Sequence, residues 1–227
     1  MKIFILATLV KNLSSIMDIL TKLFGSTAYV KIMRLFLFNP NMSFETKDVR
    51  MRTQVLADTT KRELAYIHSF GLIRRKGFVK EVVKKTKNGE RVTKRKVRGW
   101  VLNKEFPYIE PLRNILLNSD SFQKENIVNR FKNVGRLKLL VVSGIFVDEL
   151  ERTENRGRID VLVVGDHLKQ RIIKVSLKNL ESEIGRELQY SVLKTDDFLY
   201  RKSVYDKFIR DVFDYPHEVL VDKMGMV

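Results

Sequence analysis

Two groups of residues in this 227-residue chain have the types and spacing to do chemistry. One is Ser143-Gly144, closing an apolar run, with Arg158-Ile159-Asp160 opening another. A glycine turn lets backbone approach a phosphate closely, and a carboxylate on a strand can help hold Mg²⁺. Asp160 stands alone in that role, however, and Arg158, two residues away on the same strand face, puts a cation where a second carboxylate would be needed. The other group lies in residues 54–76, QVLADTTKRELAYIHSFGLIRRK, which reads as an amphipathic helix with Asp58 as its cap and Gly71 as its stop. Leu64 and Ile67 share one face with Thr60, whereas Thr59, Arg62, Tyr66 and Ser69 fall on the other, with Lys61 in the first turn. A helix that buries one side and offers cations, hydroxyls and an aromatic ring on the other suits a nucleic-acid groove.

Other chemistries find no residues to carry them. Cysteine is absent, which removes disulfides, thiolate metal sites and a catalytic thiol. His68, His167 and His217 lie in separate elements without ligand spacing, so no metal is expected. No nucleophile elbow, P-loop or dinucleotide fingerprint is present, and no cofactor is expected. Trp100, Phe106 and Tyr108 read as core residues beside the helix rather than as stacking platforms for bases.

The elements that must position the helix read as follows. Residues 27–38, TAYVKIMRLFLF, form a scaffold helix that ends at Asn39-Pro40. Residues 44–51 form a second, short helix capped by Ser43. After the amphipathic helix, residues 78–87 and 90–102 are rich in Val and Lys and flank Asn88-Gly89, a dipeptide suited to a tight hairpin turn. Twelve basic residues fall between Arg74 and Arg98 against Glu81 and Glu90, a density best explained by phosphate partners. Residues 103–118 begin with a proline-bearing turn and continue as a helix through Leu112, Ile115 and Leu116, packing back on the first half.

Charge divides the chain at the same place. Residues 1–118 hold 24 Lys and Arg against 9 Asp and Glu, a net of +15, while the remainder holds 19 against 18. A polyanion-binding module joined to a near-neutral one accounts for this asymmetry. The expected boundaries are an N-terminal extension at 1–16, a DNA-binding domain with its joining helix at 17–118, and a second domain at 119–227. Met1 and Met17 remain alternative starts. No run approaches the roughly 18 apolar residues of a membrane span, and the MKIFILATLV leader lacks a cleavage pattern, so a cytoplasmic protein away from the membrane is expected.

The order helix, helix, helix with Phe70-Gly71-Leu72-Ile73, then a basic hairpin resembles bacterial and archaeal winged helix-turn-helix regulators of the MarR/ArsR type. The likeness spans residues 20–103, with Thr60-Lys61-Arg62-Glu63-Leu64 as its other specific segment. It implies that Thr59, Lys61, Arg62 and Tyr66 face base edges or phosphates of double-stranded DNA, often as a homodimer on paired half-sites. The wing would supply backbone contacts from Arg74, Arg75, Lys76, Lys84, Lys85, Lys87, Arg91, Lys94, Arg95 and Lys96.

The second half reads as a helix at 123–133, a strand LKLLVVSG, a charged loop, a strand at 158–166, a helix at about 168–184, a strand at 188–193, and a short helix capped by Thr195. The segments Ser143-Gly144, Arg158-Ile159-Asp160 and Gly185 to Val192, with the terminal RDVFDYPHEVLVDK, are similar to the minimal nucleotidyltransferase domain of the DNA polymerase β superfamily. That family carries Gly-Ser, Asp-x-Asp and a third carboxylate. Here Ile145, Arg158 and either Gln189 or Ser191 stand at the departing positions, with Asp148 and Glu149 as loop-borne substitutes. The resemblance therefore implies an α+β chain: a winged helix with a long hairpin wing, then a small mixed-sheet domain without catalysis that senses a nucleotide or protein ligand or serves assembly. The expected function is a transcriptional regulator. The alternatives are an active nucleotidyltransferase using Mg²⁺ and NTP on a protein or nucleic acid, or an antitoxin-like partner protein.

Overall fold

A computed structural model describes residues 16–86, 89–117, 124–147 and 158–226; within these, the side chains at 16–18, 82–86, 89–91 and 124–125 lie outside the description. The architecture is mixed α+β with two small sheets.

Helix α1 (Ile16–Phe24) leads into α2 (Thr27–Phe38), whose start is fixed by the Ser26 hydroxyl accepting from Tyr29 N at 3.2 Å. Nearly every residue of α2 from Tyr29 to Phe38 is buried because neighbours surround it on all sides. The sequence marks this helix as apolar, and the structure supplies the reason: one side meets the first half and another the second.

Strand β1 (Ser43–Phe44) pairs antiparallel with the base of a long ribbon. Ser43 thus does not cap the next helix as expected. Helix α3 (Thr46–Thr53) starts two residues later, where Glu45 and Asp48 form a reciprocal capping box with the backbone. Gln54, in the left-handed region at φ 55°, ends α3 and opens a three-residue turn (Gln54, Val55, Leu56) into α4 (Ala57–Ser69). Asp58 likewise is not the cap of α4. Leu56 occupies that position, the Thr60 hydroxyl donates back to Leu56 O at 2.9 Å, and Asp58 sits in the first turn beside Lys61.

Strands β2 (Ile73–Thr86) and β3 (Gly89–Leu102) pair antiparallel over their full length, completing a sheet ordered β1-β3-β2. The last register pair is Thr86 with Gly89. Gly89 is therefore a strand residue rather than half of the expected Asn88-Gly89 turn, whose other half lies outside the described residues. The strands are 14 residues each, so the ribbon measures roughly 45 Å at about 3.4 Å per residue.

Helix α5 (Ile109–Leu117) packs back on α2, as its apolar spacing requires, and α6 (Lys124–Phe131) follows. The second sheet is ordered β6-β5-β4-β7, comprising β4 (Arg136–Ser143), β5 (Val161–Asp166), β6 (Tyr190–Leu193) and β7 (His217–Asp222). Only β5 and β6 run parallel, joined by helix α7 (Gln170–Ile184). Strand β5 starts at Val161, three residues later than expected, which leaves Arg158 to Asp160 on the approach to the strand. Helices α8 (Thr195–Ser203) and α9 (Lys207–Asp214) cover the opposite sheet face, where Phe198, Ile209 and Val212 bury Leu139, Val141, Leu162 and Val164. Lys194, not Thr195, caps α8.

The main core is continuous across the expected boundary. α2, α4 and α5 share it with β4, β5 and α7. Arg34, 1% exposed, donates from Nε to Leu116 O at 2.7 Å and from Nη1 to Glu183 O at 3.1 Å, and burial lowers its pKa to about 10. Gly185 ends α7 at φ +89°, and a Cβ there would sit 2.6 Å from the Arg34 carbonyl carbon. Only glycine allows both that conformation and that approach.

Candidate nucleic-acid interface

Helix α4 presents the expected split. Thr60, Leu64 and Ile67 are buried, and Lys61, Arg62, Tyr66 and Ser69 are exposed, with Thr59 half-buried between the faces. The face is held rather than loose. Tyr66 packs against Tyr29 and Phe70 with ring centroids 5.6 and 5.7 Å apart, and Arg62 Nη2 donates to Glu63 Oε1 at 3.2 Å. Lys61 lies 3.8 Å from Asp58. Burial, followed by the charges of Tyr66 and Glu63, pushes the Tyr29 hydroxyl up to about 12.

The root of the ribbon lies beside the C-terminal end of this helix. His68 meets the Trp100 ring edge-on at 5.5 Å, the Arg75 guanidinium lies 5.2 Å over that ring, and Trp100 Nε1 donates to Thr46 Oγ1 at 3.1 Å. Arg75, Lys76 and Arg98 line a concavity of about 490 Å³ at that root, with Trp100 as its wall. Trp100 is thus half-buried as a platform for a cation, while Phe106 is half-buried against Phe70 and Tyr108, expected in the core, is 63% exposed.

The cations of the ribbon fall into two sets. Arg74, Arg75, Lys76, Lys96 and Arg98 are exposed, and none has an acidic partner among the described residues. Lys80 and Arg95 do: Lys80 Nζ donates to Asp48 Oδ1 at 2.6 Å, and Arg95 Nη2 to Glu45 Oε1 at 2.6 Å. Lys94 lies 3.7 Å from Glu81. Arg95, read from sequence as a phosphate contact, therefore already has a carboxylate partner. The side chains of Lys84, Lys85 and Arg91, and residue Lys87, lie outside the described residues. Lys80 and Arg98 are the basic residues that sequence reasoning left off the candidate list, although the count of charges from Arg74 to Arg98 included both, and Arg98 joins the set at the root.

In the second half, Asp160 is 2% exposed and both its oxygens are occupied: Oδ1 accepts from Ile145 N at 3.1 Å, and Oδ2 from Gln189 N at 2.8 Å. Gly144, at φ +54°, is glycine because a Cβ would collide with that Oδ1. The Ser143 hydroxyl donates to Ile159 O. The Gly144 turn and Asp160 thus brace each other across β4 and β5. Arg158 stacks over Tyr215, 3.7 Å from the ring centroid, and both line a cleft of about 340 Å³ together with Lys207 and Asp211. Gln189 and Ser191 bring no carboxylate, Asp148 and Glu149 lie outside the described residues, and among the described residues no three His, Asp or Glu side chains gather as a metal site. The histidines are apart: His68 on Trp100, His167 exposed at φ 50°, and His217 against Phe213.

No helix among the described residues is long and apolar enough to cross a membrane. Comparison of the chain with protein-family models, with curated proteins and with solved structures finds no match.

Proposed function

We propose that the protein is a DNA-binding transcriptional regulator of the winged helix-turn-helix kind, whose second half is a nucleotidyltransferase-like domain without catalysis. The observation that carries this reading is the pairing of the exposed α4 face (Lys61, Arg62, Tyr66) with a ribbon root where five cations lack acidic partners among the described residues. The element order α2, β1, α3, α4, β2, β3, with the three-residue turn between α3 and α4, supports it further. α4 is then the groove-reading helix, and the ribbon the wing.

Chemistry by the second half is disfavoured on Asp160 itself. Asp160 is buried, its carboxylate serves two backbone donors, and no second and third carboxylate gather beside it among the described residues, which leaves it a poor host for Mg²⁺. Selection of bound fragments from a random duplex pool, followed by sequencing, tests the proposal. Enrichment of a short motif, repeated with two-fold symmetry if the protein binds as a dimer, is the expected result; recovery of an unenriched pool would overturn sequence-specific regulation.

A further inference from the structure

The sheet at the ribbon's root is three-stranded only where β1 pairs with Trp100 and Val101. Beyond it the ribbon is two-stranded, and such a ribbon twists and bends readily in water. One set of contacts restrains it part-way along. Lys80 and Arg95 face each other across β2 and β3, seven residues out from Ile73 and Leu102. Lys80 Nζ reaches Asp48 Oδ1 and Oδ2 at 2.6 and 2.7 Å and lies 3.8 Å from Glu45 Oε2, while Arg95 Nη2 meets Glu45 Oε1 at 2.6 Å. The two carboxylates are 14% and 16% exposed, so the contacts are partly shielded from water and salt. They are also the two members of the capping box that starts α3, and are thereby fixed to the helix-turn-helix frame.

We propose that Glu45 and Asp48 are positioning residues for DNA: they clamp the ribbon at Lys80 and Arg95 and set its angle to α4. The proposal rests on the DNA-binding reading above and adds a sign to it. Two acids beside a phosphate-binding surface repel DNA, so removing them should tighten binding if charge alone mattered. A clamp gives the opposite result, because a ribbon free to swing no longer meets the backbone while α4 sits in the groove.

The test uses the full chain carrying Glu45→Gln and Asp48→Asn together. Both amides keep an oxygen to accept the capping N–H groups, so α3 retains its start; should circular dichroism show the double variant unfolded, Asp48→Asn alone is used. Binding of a random-sequence duplex is measured by fluorescence anisotropy at about 0.15 M salt, and the clamp predicts affinity about tenfold weaker than the parent's. Because the chain has no cysteine, spin labels at Ser69→Cys and Val92→Cys report the angle between α4 and ribbon directly. The expected distance distribution is narrow in the parent and broad in the amide variant. Equal or tighter DNA binding by the variant, or an unchanged distribution, overturns the clamp. A parent chain that binds no duplex removes the DNA reading and this role with it, and the label distances then tell whether the ion pairs restrain the ribbon at all.

Discussion

Both oxygens of Asp160 accept backbone N–H groups, so its substitution is expected to act on stability. Asp160→Ala removes the carboxylate that accepts from Ile145 N and Gln189 N, and a loss of about 2 to 4 kcal/mol in urea unfolding is expected, with Asp160→Asn intermediate. Nucleotide transfer from labelled ATP that vanishes with Asp160→Ala in a still-folded chain would contradict this account. Tyr29 gives a pH signature. Its hydroxyl is raised from 10.0 to about 12 in the folded state, so the stability it contributes is whole below about pH 10 and is lost as pH rises toward 12. Alkaline denaturation should therefore flatten over that window in Tyr29→Phe. On α4, the proposed role of Arg62 in reading bases predicts that Arg62→Ala weakens preference for a selected site by about 1 to 3 kcal/mol relative to random duplex. Tyr66→Phe should leave stability intact, because the aromatic packing against Tyr29 and Phe70 survives.

At the scale of elements, the ribbon root is where phosphate neutralisation is expected. Replacing Arg74, Arg75 and Lys76 with Gln should weaken binding to all duplexes alike and reduce the slope of log affinity against log salt by about 0.9 for each phosphate left without its cation. A change in site preference with an unaltered slope would assign those residues to base reading instead. The elements themselves were largely legible. The apolar spacing of α2 and the split face of α4 follow from side-chain periodicity, and the ribbon from Val- and Lys-rich segments on either side of Asn88-Gly89. The local starts were not: Ser43 and Asp58 are good cap residues by type, yet Ser43 is drawn into pairing with Val101, and α4 begins at Ala57, before Asp58 is reached. The partners of Lys80 and Arg95 lie 32 and 50 residues away in sequence, a separation at which no pattern announces an ion pair.

For the whole molecule, the charge asymmetry suggested two modules, and the continuous core shows how closely they are joined. α2 was legible as buried, but nothing in TAYVKIMRLFLF says that one of its sides faces α7. The joint was invisible for that reason, as was the role of Gly185. Its substitution by Ala forces a Cβ onto the α2 backbone in a left-handed conformation, and a cost of about 2 to 4 kcal/mol is expected, with both halves unfolding in one transition. Two separate transitions would show that the halves are energetically independent. The same joint makes the second half a support for α4: Gln54, in the turn before α4, donates to Lys178 O at 2.9 Å, and Arg52 meets Glu187 at 2.8 Å. The measurement that bears most directly on the central claim is the affinity of the intact protein for a random-sequence duplex across a salt series. Grip by the cations at the ribbon root that have no acidic partner among the described residues predicts a steep linear fall of log affinity with log salt, corresponding to about four or more phosphates neutralised. No binding at low salt, or binding indifferent to salt, would contradict it.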